Sequence, residues 1–371
     1  NFILPTLFAM VGTGAFSIGW NLVAGRTSNV SDDRPSTFDV RLIAGFSASI
    51  LAILLGNLGT LQMIYNKLQQ LGSLGTFSWT STFVQRLTWA IEGLKLTFAG
   101  NTLPIGPGDW YWDPSRVIPP LGGNEITEFP LFTFVYSDLH AHMIVMPIAL
   151  LAISWALSVV AGRAWKQNQA RPESERRLSI VLSMLIGGLI IGAAYPTNLS
   201  DSYTYLLIGI VALAYSIWRY AEVDSIMKRI AFTGGAVVAL YLLSTYLYLP
   251  YRVWYSQAYS SLDSWKGPFT PLASYFTHWG LLLFVVVSWM SWETREWLAS
   301  TPLSALKKLK PYQLLIEGAL IFLVLVLLGL QYKGTSVGWV ALPIAAWAGI
   351  LLLNPSLPDS KRLVLFLIGT A

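Results

Sequence analysis

LFTFVYSDLHAHMIVMPIALLAISWALSVVA, residues 131–161, decides the fold class. From Met143 to Ala161 no side chain carries a charge, and Leu, Ile, Val and Ala dominate. A helix of roughly 20 such residues crosses a hydrocarbon core about 30 Å thick. The whole stretch is too long for one simple span. Its first dozen residues, through His142, bring in Ser137, Asp138, His140 and His142. Irregular backbone survives at membrane depth only where protein or water satisfies it, so this part is expected in a loop or as a broken segment.

Working outward, comparable apolar runs occupy residues 2–24, 40–65, 178–195, 203–218, 230–249, 272–292, 313–330 and 336–353. Another begins near Leu363. The chain is 54% hydrophobic and 12% charged, against about 25% charged in soluble domains. The expectation is an all-α polytopic transmembrane helix bundle of about ten spans. It forms one transmembrane domain over residues 1–371, with an ordered outward-facing loop region in residues 66–142. The last run, roughly 14 Å of helix at about 1.5 Å per residue, is too short to span. The first run starts at Asn1 with no basic residue ahead of it, unlike a signal peptide. Both ends together suggest an internal fragment of a longer protein. With no cysteine, disulfides, thiolate metal sites and cysteine nucleophiles are excluded.

Charge sets the expected orientation. Of the 24 Lys and Arg, seventeen fall in one set of alternate loops, among them Arg34, Arg163, Arg171, Arg229 and Arg362. The other set holds seven: Lys67, Arg86, Lys95, Arg116, Arg252, Lys266 and Lys333. Basic loops stay cytoplasmic, so the protein reads as a multi-pass cell-membrane protein with the 108–142 region on the non-cytoplasmic side. Basic residues form no patch, which excludes nucleic acid as a partner and leaves membrane lipids. Residues 79–98 (WTSTFVQRLTWAIEGLKLTF) have apolar side chains at helical spacing. They suit a helix lying in the interface or a surface helix of an external subdomain. The Tyr- and Trp-rich run 246–265 fits an interfacial belt.

Four constellations could carry chemistry. In DWYWDPSR (109–116), Trp110, Tyr111 and Trp112 offer faces on which sugars or lipid headgroups stack, and Arg116 a cation. Asp109 and Asp113 are candidate catalytic carboxylates. The same residues would equally make an aromatic anchor with turn-capping aspartates, since Pro114 favours a turn. In NEITEFP, Glu125 and Glu128 share a face if one helical turn forms. Such a pair can hold a divalent cation or raise one another's pKa; otherwise it is a solvated loop edge. In SDLHAHM, Asp138, His140 and His142 alternate, so an extended segment aims all three one way and could bind a metal. A helix would lose that shared face. Beyond the break at Tyr195-Pro196, Asn198 and Asp201 occupy a short outer turn. Arg252, Lys266 and Lys333 could grip a lipid phosphate, or snorkel as ordinary anchors. The third histidine, His278, also falls at the outer end of a span. P-loop, nucleophile-elbow and H-E-x-x-H motifs are missing from the sequence, which argues against an ATPase, an elbow hydrolase or a zincin.

GDWYWDPSRVIP, ITEFPLFTFVYSDLHAHM and YPTNLSDSYTY, in that order, resemble the uncharacterised multi-spanning membrane proteins of bacteria and archaea named for a Tyr-Tyr-Tyr motif. That motif is missing here; in the family it lies upstream. The family is similar in plan to the GT-C glycosyltransferases, which take sugars from polyprenyl-phosphate carriers and keep essential acids in outward loops. The resemblance carries over Asp109, Asp113, Glu125, Glu128, Asp138, His140 and His142 as motif positions without individual roles. It implies glycosyl transfer from a lipid-phosphate-linked donor at the outer face. Asp138 or Glu128 would be the base, and a divalent cation, magnesium or manganese, would assist. The competing readings are a non-enzymatic structural subunit of a larger membrane complex and, third, a transporter. The span interiors hold few ionisable groups, Glu317 being the main exception, which weighs against transport.

Overall fold

The computed structural model describes residues 2–27, 39–120, 125–166, 172–255 and 266–370. Arg34, Arg171 and residues 256–265 of the aromatic run lie outside them. Among the described residues the regular structure is helical, with no strand. The α-helices are α1 (Ile3–Thr27), α2 (Val40–Ile53), α3 (Gly59–Gly72), α4 (Phe83–Phe98), α5 (Asp109–Trp112), α6 (Pro130–Tyr136), α7 (Ala141–Val160), α8 (Glu173–Thr197), α9 (Leu199–Tyr220), α10 (Ile226–Tyr246), α11 (Leu249–Trp254), α12 (Leu272–Ser300), α13 (Gln313–Tyr332), α14 (Gly338–Leu352) and α15 (Asp359–Thr370). Short 3-10 turns occupy Asp113–Ser115 and Leu303–Tyr312.

Among the described residues, 7 helices are long and apolar enough to cross a membrane: α1, α7, α8, α9, α10, α12 and α13 with its preceding turn. Ten were expected. The difference lies in three short helices: α2 with 14 residues, α14 with 15 and α15 with 12. The run 40–65 divides because Gly56 and Asn57 interrupt it. The first helix ends at Ile53, and the Asn57 side chain accepts from the backbone N–H of Gly59, the first residue of the next, at 2.9 Å. The second of these helices, α3, carries Gln62, Asn66, Lys67, Gln69 and Gln70 and does not continue the apolar run. The stretch 131–161 is broken too. α6 stops at Tyr136, Ser137 adopts a left-handed φ of 61°, and α7 begins only after His140.

The chain forms two compact units. The first comprises residues 1–54, 137–265 and 348–371. In it α1 packs along α2 and against α7, while α7, α8, α9 and α10 pack on one another. Their core is built from Trp155, Val159, Ile191, Leu213, Ile217 and Leu240. Between helices that share lipid as solvent, close packing rather than hydrophobic exclusion holds the bundle together, and small residues allow it. Gly187 has no room for a Cβ, which would run into the Trp155 indole. That indole donates to the Ser183 carbonyl at 2.8 Å. At one end of this unit Asp359 accepts from the hydroxyls of Tyr215 and Tyr220, both at 2.6 Å, tying α15 to α9. Arg362 donates to the Leu352 and Asn354 carbonyls, which closes the C-terminus of α14.

The second unit comprises residues 55–136 and 266–347. In it α3 and α4 pack face to face. A Cβ on Gly93 would strike the Leu68 carbonyl oxygen, and one on Gly72 the Trp89 carbonyl oxygen. The backbones therefore touch. Thr82 caps α4 by accepting from the Gln85 N–H at 3.3 Å. The helix expected in residues 79–98 is this α4. Ala90 and Gly93 face α3, while Phe83, Leu87, Ile91, Leu94 and Phe98 are exposed. The corner at residues 56–59 is pinned to α12: the Leu58 N–H donates to the Thr277 carbonyl at 2.8 Å, and the Leu58 side chain reaches Gly280.

Candidate functional site

The 108–118 loop is held from both ends of its polar sequence. Asp109 accepts from the Gly106 N–H at 2.9 Å and from the Lys67 ammonium at 3.0 Å. Gly106 and then Lys67 hold its carboxyl below the usual carboxylate range. Burial, and then the neighbouring Asp109, push Asp113 above that range. Arg116 lies 4.0 Å over the Trp112 ring and donates to the Ser115 hydroxyl at 2.6 Å. Tyr111 and Trp112 pack with Phe132 and Tyr136 of α6, and Phe129 with Phe132. Two of the three rings in DWYW thus serve packing; Trp110 is exposed.

This loop positions the next acidic segment. The Thr127 N–H donates to the buried Ser115 carbonyl at 2.8 Å, so residues 115 and 127 lie side by side. Residues 125–129 form no helical turn, so the condition for Glu125 and Glu128 to share a face is not met. Thr127 and Phe129 are buried, and one carboxylate oxygen of Glu125, Oε2, is buried without a hydrogen-bond partner among the described residues.

Glu128 lines a cavity of about 480 Å³ within the second unit. Its lining includes the hydroxyl-bearing residues Thr127, Thr270, Ser274, Tyr275 and Thr335, the aromatic residues Phe269, Tyr275 and Trp279, and His278. Small-molecule sites occupy about 300–1,000 Å³ and combine apolar walls with a few convergent polar groups. Behind His278 stands Asn57, 5% exposed. Its amide nitrogen donates to the Pro114 carbonyl at 2.7 Å and lies 3.3 Å from His278 Nδ1.

The remaining candidates divide between the units. Asp138, His140 and His142 belong to the first. His140 is extended and His142 sits in the first turn of α7, so the alternating face is only half formed. His140 Nδ1 bonds the Asp138 carbonyl at 2.7 Å. A ligating nitrogen of His140 and one of His142 lie within 4.8 Å of each other. Asn198 and Asp201 form a local turn, with the Asn198 amide donating to Asp201 at 3.2 Å. Arg252, also in the first unit, stacks 4.1 Å over Tyr195. Lys266 and Lys333 are exposed in the second unit.

Residues 1–371 match the model of an uncharacterized membrane protein family, DUF2298. The chain belongs to this family. No curated protein and no solved structure matches it. As a DUF2298 protein with several long apolar helices it is a multi-pass membrane protein in contact with lipid. Sequence reasoning on this DUF2298 chain passed over Asn57 and gave His278 no role. Asn57 stood inside an expected span, where a side-chain amide next to a glycine was itself the available signal.

Proposed function

We propose that the protein transfers a sugar from a lipid-phosphate-linked donor, with the second unit's cavity as the sugar site and Glu128 as general base. The observation that carries this reading is the cavity lining. Flat rings suit the apolar faces of a pyranose, and hydroxyls, an imidazole and a carboxylate suit its edge. The sequence resemblance to the GT-C enzymes points the same way. In the reaction the acceptor hydroxyl loses its proton to Glu128, its oxygen bonds the anomeric carbon, and the anomeric C–O bond to phosphate breaks. The electron pair leaves with the lipid phosphate. Lys333 and Lys266, exposed two and three residues before the lining residues Thr335 and Phe269, could meet that phosphate.

A hard divalent ion such as magnesium or manganese would favour a carboxylate such as Glu128, whereas the His140 and His142 imidazoles suit softer metals.

The test uses the purified protein in lipid nanodiscs with a panel of undecaprenyl-phosphate hexoses, reading release of undecaprenyl phosphate. Wild type is expected to turn over at least one donor, and Glu128→Gln to lose about 10²-fold or more in rate while melting like wild type. No turnover across the panel, or a fully active Glu128→Gln, overturns the reading. Full activity after chelator removes only the divalent ion.

A further inference from the structure

Two groups in the second unit settle the chemistry of a third. The Asn57 side chain oxygen accepts from the Gly59 N–H, which can only donate. Its nitrogen faces the Pro114 carbonyl, which can only accept. The amide orientation therefore has one solution, with the NH2 toward His278 Nδ1 at 3.3 Å. An amide nitrogen has no lone pair to offer. His278 Nδ1 must accept, so the ring proton resides on Nε2.

We propose that Asn57 is a positioning residue that locks His278 as the Nε2–H tautomer, and that this N–H is a ligand-binding donor of the cavity. The inference rests on reading the cavity as a ligand site. The occupant it selects carries an acceptor oxygen, a sugar hydroxyl or ring oxygen or a phosphate oxygen. Glu128, a carboxylate on the same lining, supplies the complementary acceptor. A cavity with one fixed donor and one acceptor discriminates polyols and phosphate esters from apolar molecules of equal size, because an unmatched buried N–H is costly. Leu58 is bonded to Thr277, the residue before His278, so donor and imidazole are held on adjoining backbone.

The experiment is ¹⁵N NMR of the full chain in lipid nanodiscs with labelled histidine. His278→Gln assigns the His278 signals among the three histidines. Wild type is expected to show Nδ1 unprotonated and Nε2 protonated at neutral pH. Asn57→Asp, which keeps an acceptor for Gly59 but places an oxygen opposite both Nδ1 and the Pro114 carbonyl, is expected to put a proton on Nδ1. If that variant does not fold, Asn57→Ala, with nothing bonded to Nδ1, is expected to show both tautomers. Dodecyl β-D-glucoside and dodecyl phosphate are then titrated separately, and a shift of the Nε2–H signal with one of them names the source of the oxygen. A protonated Nδ1 in wild type, no change of tautomer in a folded Asn57 variant, or no shift at saturation with either probe overturns the inference. A protein that fails to transfer sugar yet shows the tautomer and the shift loses the glycosyl-transfer reading alone.

Discussion

Gly93→Ala tests a close backbone contact in the second unit, and its sign is the informative quantity. In a free helix Ala is favoured over Gly by about 1 kcal/mol. At Gly93 the added methyl would lie on the Leu68 carbonyl oxygen and 2.7 Å from its carbonyl carbon. The obstacle is main chain, so no rotamer change relieves it, and α3 and α4 must separate. Overpacking of this kind costs about 1–3 kcal/mol; with an unyielding neighbour the upper part of that range applies. The net expectation is a loss of about 2 kcal/mol. Gly318→Ala is the control, because a Cβ at Gly318 in α13 meets nothing within 4 Å. There the propensity gain of about 1 kcal/mol stands alone. The two variants should therefore shift stability in opposite directions. Thermal unfolding in micelles, followed by tryptophan fluorescence, reads the sign. Hydrogen exchange over α3 and α4 reads the location, and protection should fall in both helices for Gly93→Ala alone. A Gly93→Ala protein that melts at or above wild type with unchanged exchange would refute the claim that the backbones touch.

Two further expectations concern charge. Asp109 titrates below its ordinary value, so its contribution to stability is complete above that value and is lost as pH falls through the lowered one. Asp109→Asn should flatten the acid limb of a melting-temperature profile. Asp113 behaves oppositely: its raised pKa means that the ionised form is disfavoured in the folded protein. Asp113→Asn should raise the melting temperature at neutral pH, with the gain vanishing as pH drops below the ordinary carboxylate value. In the first unit, Tyr220→Phe removes the hydroxyl whose single proton is shared between Asp359 at 2.6 Å and the Val160 carbonyl at 2.9 Å. A loss of about 1–2 kcal/mol is expected for the charged bond of this partly exposed pair. The Asp359 share of that loss should disappear in an Asp359→Ala background, read by melting temperature in a double-mutant cycle.

Much of the helix plan was legible because a bilayer makes structure a local property. Every span must satisfy its own backbone, so an uncharged run such as 143–160 announces a helix without reference to any neighbour. The break before α7 was legible for the same reason, since Ser137, Asp138 and His140 interrupt apolar sequence. The division at Gly56-Asn57 was not. One buried Asn in an apolar run reads as tolerable until its partners at Pro114 and His278 are known.

By itself, then, the sequence determined the membrane class, the cysteine-free chemistry, most of the apolar helices and an acidic, aromatic region worth attention. Tertiary structure alone decided which of those residues meet. Tyr111 and Trp112 turned to packing with α6, and Asp109 to Lys67. Glu128 and His278, 150 positions apart in the chain, came to line one cavity with Asn57 behind the imidazole. Hydropathy depends on neighbours along the chain, whereas a hydrogen bond depends on neighbours in space, and only folding brings those together.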